Sequence, residues 1–305
     1  MSVLFIMSIK NGVYVALVTP FTKNNTVCWS SLEKLVNFHI EKKTTGLVLL
    51  GTTGESPTLT NIEKIDIIDY VYKKADKKID IVVGVGGNNT EEVKHFALYC
   101  QNKGVADSLM VTVPNYNKPT QEGIYQHFKQ IADYVILPIM MYNIPSRCGV
   151  NMEPETIFRL SKIDNIVGIK EASGSLTQIH KINTLVKDDN FKIFSGDDAL
   201  IIPIMSLGGC GVVSVIGNIL PDIVLQIVNL CLDNNFKDAS KLYYEYHEKI
   251  ENLFIETNPI PVKEILFQKN MIENNYRLPL LKSSKSEMTV FFMLISCSRS
   301  KSHII

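Results

Sequence analysis

Ile166-Val-Gly-Ile-Lys-Glu-Ala-Ser-Gly174 is an apolar run that ends in a single lysine and passes into a turn. Read as a strand, its side chains alternate between two faces. Ile166, Gly168 and Lys170 then share one face, and Val167, Ile169 and Glu171 share the other. A lysine on the inner face of a buried strand loses its hydration, which moves its pKa from about 10.4 towards neutrality. A neutral amine is a nucleophile that forms Schiff bases with carbonyls. The same segment also suits a strand-end lysine whose ammonium snorkels to water, so the surrounding chain has to decide.

Working outward, the strand-then-helix pattern repeats. Strand-like runs fall at residues 13–18, 47–50, 81–85, 108–113, 138–142, 166–170, 191–195 and 212–215, and the segments between them carry helical periodicity. Ser30-x-x-Glu33 and Thr60-x-x-Glu63 read as capping boxes, and Pro154 suits the first turn of a helix. Eight such units in about 220 residues imply a parallel sheet and fit a closed (β/α)8 TIM barrel. An open dinucleotide-binding sheet would place Gly-x-Gly-x-x-Gly after the first strand, where Val18-Thr-Pro-Phe21 stands instead. Helical patterns at 222–233, 236–255 and 260–269 form a C-terminal helical extension. The expected division is therefore a barrel catalytic domain at 11–220 and a C-terminal helical region at 221–305. Residues 1–11 read as an extension, with Met7 as an alternative start, and a last apolar segment falls near 290–295.

Positive and negative side chains balance at 31 each, which argues against a dominant nucleic-acid or acidic-membrane partner. The six cysteines are scattered, with no Cys-x-x-Cys pair or Cys/His cluster, so neither zinc nor a disulfide framework is indicated and a reducing cytoplasm is expected. The apolar stretches at 3–7 and 290–295 are too short for a signal-peptide core or a membrane span.

Barrel sites form at the C-terminal ends of the strands, and the unusual residues collect there. Thr52 and Thr53 follow the second strand, Tyr116 the fourth and Arg147 the fifth; Tyr142 ends the fifth and Lys170 the sixth; Gly196 follows the seventh and Val213 lies on the eighth. Each has two readings. Gly51-Thr-Thr-Gly54 suits a tight turn or a carboxylate cradle of hydroxyl and N–H groups. Tyr142 suits a core aromatic or a proton relay. Arg147 suits a solvated loop charge or a bidentate carboxylate clamp. Gly208-Gly-Cys-Gly211 has the composition of a barrel phosphate site but lacks a helix start directly after it.

Five motifs in order carry a resemblance. Gly51-Thr-Thr-Gly-Glu-Ser56, Tyr142-Asn-x-Pro-Ser-Arg147, Gly168-Ile-Lys-Glu-Ala172, Ser195-Gly-Asp-Asp198 and Asn258-Pro-Ile-Pro-Val-Lys263 resemble the dihydrodipicolinate synthase family, within the pyruvate-dependent class I aldolases. The resemblance implies that pyruvate forms a Schiff base on Lys170. Its enamine then adds to L-aspartate 4-semialdehyde, giving 4-hydroxy-tetrahydrodipicolinate for lysine and diaminopimelate biosynthesis. It implies that Tyr142, Thr52 and Tyr116 relay protons, with Tyr116 reaching in from a neighbouring subunit. Thr53 is implied to bind the pyruvate carboxylate, Arg147 the second substrate's carboxylate, and Gly196 and Val213 to line the pocket. A homotetramer built as a dimer of dimers, and no metal or diffusible cofactor, are implied as well.

The chain departs from the family at several positions. Asn115 stands where many members have a tyrosine, and Asn61 and Lys64 replace histidines of the lysine-feedback site, so weakened inhibition by free lysine is expected. The tail after Leu280 lacks the usual alanine-rich final helix. The main rival within the superfamily is a lyase acting on N-acetylneuraminate or a 2-keto-3-deoxy sugar acid. Arg147 and the threonine pair favour the synthase reading. A barrel that only binds a small molecule would not need Lys170, Tyr142, Thr52 and Tyr116 together.

Overall fold

The computed structural model describes residues 8–283; the segment expected at 290–295 and residues 1–7 lie outside the described residues. Eight parallel strands close on themselves in sequence order: β1 (Gly12–Ala16), β2 (Gly46–Leu49), β3 (Asp80–Gly84), β4 (Ser108–Thr112), β5 (Ile139–Asn143), β6 (Ile166–Glu171), β7 (Lys192–Ser195) and β8 (Gly211–Ser214). The connecting helices are α1 (Trp29–Glu41), α2 (Asn61–Ala75), α3 (Thr90–Lys103), α4 (Gln121–Tyr134), the short α5 (Pro145–Cys148), α6 (Pro154–Leu160), α7 (Leu176–Val186) and α8 (Ile201–Ser206). Beyond β8 come α9 (Pro221–Leu232), α10 (Phe236–Asn252) and α11 (Ile260–Gln268). This is the (β/α)8 barrel with a C-terminal helical extension. α9 packs against β1 and β8, and α10 against α9 and α8.

The strands are apolar on both faces because both are buried. Tyr14, Val48, Val82, Met110, Met140 and Phe194 fill the barrel interior. Their neighbours Val13, Leu47, Ile81, Leu109, Ile139 and Ile193 pack outward under the helices. Each fully buried side chain of this size contributes roughly 1.5–3 kcal/mol. Gly46 faces the Tyr14 ring so closely that a Cβ would stand 2.4 Å from it, so the interior has room for that ring only because residue 46 has no side chain. Ile9 also belongs to the interior cluster, so ordered packing begins ahead of the expected start near Gly12.

Two local readings differ from expectation. Thr60 and Glu63 form the capping box of α2, but Ser30 caps nothing. α1 starts at Trp29 with Cys28 as its N-cap, and no side chain makes the cap bond. The Cys28 N–H bonds to Pro20 O at 2.8 Å, which fixes the entry two residues early. Gly208–Gly211 lead into β8 and so lie at the N-terminal end of the barrel, opposite the mouth that Lys170 approaches near the end of β6. That position does not fit a barrel phosphate site, which forms at the C-terminal face.

Closure rests partly on one side chain. Asn218, buried after β8, donates to Ala16 O at 2.8 Å and Val215 O at 3.0 Å, and accepts from Val18 N at 3.3 Å. Asn218→Ala would leave these buried backbone groups unpaired. It is expected to lower stability by about 1–3 kcal/mol, read as a lower urea midpoint at unchanged slope. An unchanged midpoint would show that the closure does not depend on this amide.

Candidate active site

Lys170 reaches the interior by a route that simple alternation does not give. β6 pairs with β5 as Ile139↔Ile166 and then Met140↔Gly168, so Val167 is an extra residue in a bulge. Ile166 consequently packs outward with the helices, while Val167 turns into the barrel. The expected sharing of a face by Ile166 and Lys170 is corrected on this point. Beyond the bulge the register is regular, with Lys170 opposite Tyr142 on one side and Phe194 on the other.

The Lys170 side chain is buried, and its Nζ lies 3.9 Å from the centroid of the Tyr142 ring. Loss of water lowers the amine to about 7; Asp198 opposes that shift and the Arg147 guanidinium reinforces it. None of the ion pairs among the described residues engages Lys170. Burial raises the Tyr142 phenol above its ordinary range, with Arg147 and the hydrogen-bonding Thr52 side chain pulling it back. At neutral pH Tyr142 therefore keeps its proton, with Thr52 as its hydrogen-bonding neighbour.

The second-strand turn supplies Thr52 and Thr53. Gly54 N bonds to Gly51 O at 3.1 Å and Glu55 N to Thr52 O at 3.0 Å. Thr52 lines a cavity of about 300 Å³ together with Gly51, Met110, Asn115, Ile144 and Arg147. Thr53 is buried and accepts from Asn258 Nδ2 at 2.9 Å. Arg147 stands exposed on α5. Gly196 bonds to Glu171 O at 2.8 Å. A Cβ there would meet Ala172 Cβ at 2.7 Å and Lys170 Cε at 3.2 Å, so a side chain would crowd the lysine. Val213 lies in the interior cluster, paired with Tyr14.

Tyr116 is not brought into this group within one chain. It is 85% exposed, and its φ of 72° is unusual for a bulky residue. Its backbone N–H is fixed to Cys148 O at 3.2 Å. Lys64 and Asn61, with Glu92, line a separate cavity of about 380 Å³, so Lys64 does not simply point to solvent.

Asp198 closes the Ser195-Gly-Asp-Asp198 motif after β7. It is buried, its Oδ2 accepts from Val215 N at 2.8 Å and Ile216 N at 2.9 Å, and its Oδ1 has no partner. A second polar group lies behind the strands. Asn143 Nδ2 and Gln178 Nε2 both donate to Glu171, and Asn143 Oδ1 accepts from Met152 N at 3.0 Å. The signal in the chain for both was a polar residue at, or just beyond, the end of an apolar strand.

Asp198→Asn would keep an acceptor for the two N–H groups while removing the charge that favours the ammonium. The Lys170 pKa is expected to fall below its value of about 7, measured as the midpoint of its side-chain NMR titration. A midpoint that stays or rises would show that Asp198 does not act on the amine.

Three comparisons bear on this arrangement. The chain matches the Dihydrodipicolinate synthetase family over residues 10–297. It is 45% identical over 277 residues to the 4-hydroxy-tetrahydrodipicolinate synthase of Sulfurihydrogenibium sp. (strain YO3AOP1), covering 90% of this chain and 94% of that one. The crystal structure of dihydrodipicolinate synthase from Aquifex aeolicus superposes with a TM-score of 0.91 at 40% identity, covering 95% and 98% of the two chains. The enzyme from Cyanidioschyzon merolae, solved with lysine bound, gives 0.92 at 35% identity, covering 96% and 99%. With its barrel, its buried amine and these matches, the chain belongs to the dihydrodipicolinate synthetase family.

Proposed function

We propose that the protein condenses pyruvate with L-aspartate 4-semialdehyde to give 4-hydroxy-tetrahydrodipicolinate, the step that serves lysine and diaminopimelate biosynthesis. The observation that carries this reading is the buried Lys170 side chain, its Nζ 3.9 Å from the Tyr142 ring centroid and its amine lowered to about 7 by loss of water. The unprotonated Nζ attacks C2 of pyruvate, and loss of water leaves a protonated imine. That imine is the electron sink for removal of a C3 proton, so the chemistry needs no metal or diffusible cofactor. The resulting enamine adds to the aldehyde carbon. The amino group of the adduct then attacks C2 and expels Lys170 as the ring closes.

The remaining residues take roles that suit their positions. Tyr142, holding its proton, delivers and recovers it through Thr52. Thr53 Oγ1 already accepts from Asn258, which leaves its own proton to donate to the pyruvate carboxylate. Exposed Arg147 suits the carboxylate of the second substrate, and we assign Gly196, beside Lys170, and Val213, inside the barrel, to the lining of the pyruvate site. Tyr116, turned outward, completes the relay from a neighbouring subunit, in a homotetramer assembled from dimers. We place the enzyme in the cytoplasm; no described helix is long and apolar enough to cross a membrane.

Borohydride added with pyruvate is expected to attach one group, on Lys170. Because only the neutral amine attacks, the rate of imine formation should fall as pH drops below about 7 and level off above it. Labelling elsewhere, or cleavage of N-acetylneuraminate in place of semialdehyde consumption, would overturn the reading. Mixing inactive Tyr116→Phe and Lys170→Ala chains should restore activity through sites that combine both wild-type groups. Verified mixed dimers without recovery would place Tyr116 outside the partner's site.

A further inference from the structure

The motif Asn258-Pro-Ile-Pro-Val-Lys263 supplies no group to the reacting atoms, yet it lies against the threonine turn. Lys263 is 0% exposed. Its Nζ sits 2.5 Å from Glu55 Oε1, 4.5 Å from the Phe21 ring centroid and 4.8 Å from that of Tyr276. Asn258 holds Thr53 at 2.9 Å. Arg277 donates to Thr58 O and to Glu63 Oε2, both at 2.8 Å, and stacks over Phe21 at 4.4 Å. Residues 53, 55 and 58 are thus each gripped by a group from beyond the barrel.

The turn itself is under backbone strain. Leu50 and Glu55, on either side of Thr52 and Thr53, have φ of 56° and 53°. Such conformations persist in residues with a Cβ only where the surroundings over-determine them. A buried ion pair is also a weak source of stability compared with well-packed apolar residues of the same volume, and its best-attested use is to fix one arrangement. The carboxylate of Glu55 would leave for water without Lys263, and the turn would move with it.

We infer that Lys263, acting through Glu55, and Asn258, acting through Thr53, are positioning residues for the Thr52–Thr53 turn, so that the post-barrel segment is part of the pyruvate-carboxylate site. This rests on the pyruvate reading above. Displacing the turn weakens capture of the carboxylate while the lysine chemistry survives, because Lys170 sits on a different strand.

The test reads pyruvate half-saturation of borohydride trapping. Wild-type protein is trapped first; if Lys170 is not labelled, the pyruvate reading fails independently of this inference. Glu55→Gln/Lys263→Met then removes the pair without stranding a buried charge. Labelling of Lys170 at saturating pyruvate should remain complete, while the half-saturating concentration rises about tenfold, the factor expected for one lost or misplaced hydrogen bond. Asn165→Ala, which unpairs the Ala132 and Val135 carbonyls at the N-terminal end of the barrel, away from the turn, serves as the stability control and should leave half-saturation near wild type. If the double variant does not fold, Asn258→Ala carries the same test through Thr53. Wild-type half-saturation in the folded variant, or an equal rise in Asn165→Ala, would overturn the inference.

Discussion

The constraint on which the site depends is the removal of water from one amine. Lys170 is 6% exposed in a barrel whose interior is otherwise apolar. Lowering its pKa to about 7 has a cost that the fold must meet. An unfolded lysine titrates near 10.4, so between about 7 and 10.4 the unfolded chain binds more protons than the folded one. Stability contributed by this group therefore rises with pH across that window, and below about 7 the full penalty applies. The difference is on the order of 4 kcal/mol, a large part of a typical folding free energy. The closed wall, the glycine at 196 and the charge of Asp198 are the surroundings in which the fold holds this amine at that cost.

A common design links the strand ends. Each inward residue with chemistry is followed by an outward polar residue that anchors the same stretch of backbone. Tyr142 is followed by Asn143, and Lys170 by Glu171; the two outward groups are paired in register and hydrogen-bonded to each other. Gln178 and Ser173 N complete the shell of Glu171. Burial raises that carboxyl, while its donors act in the opposite direction. The chemistry thus faces the barrel and the scaffolding faces the helices, one residue apart.

Much of this was legible in the chain. The eight strand-helix units, the capping box at Thr60 and the convergence of Thr52, Tyr142, Arg147 and Lys170 on one mouth follow from periodicity and turn chemistry. What escaped did so for physical reasons. The bulge at Val167 breaks the two-residue period on which the face assignment relies. Ser30 fails as a cap because the bond from Cys28 to Pro20, a tertiary contact, sets where α1 begins. Asp198 and Glu55 are buried by partners that no local pattern announces; the lysine that meets Glu55 lies 208 residues away.

That separation also orders events on the ribosome. β1 acquires its second neighbour only when β8 exists, and Asn218 bridges a gap of 202 residues to Ala16. At roughly 5–20 residues per second of synthesis, the first strand keeps an open edge for on the order of 10–40 s. Open edges are templates for pairing with other chains. Glu55 waits longer still for its counter-ion. The nascent chain therefore spends most of its synthesis with an unclosed sheet, and how long that edge stays open is set by translation speed rather than by the stability of the finished barrel.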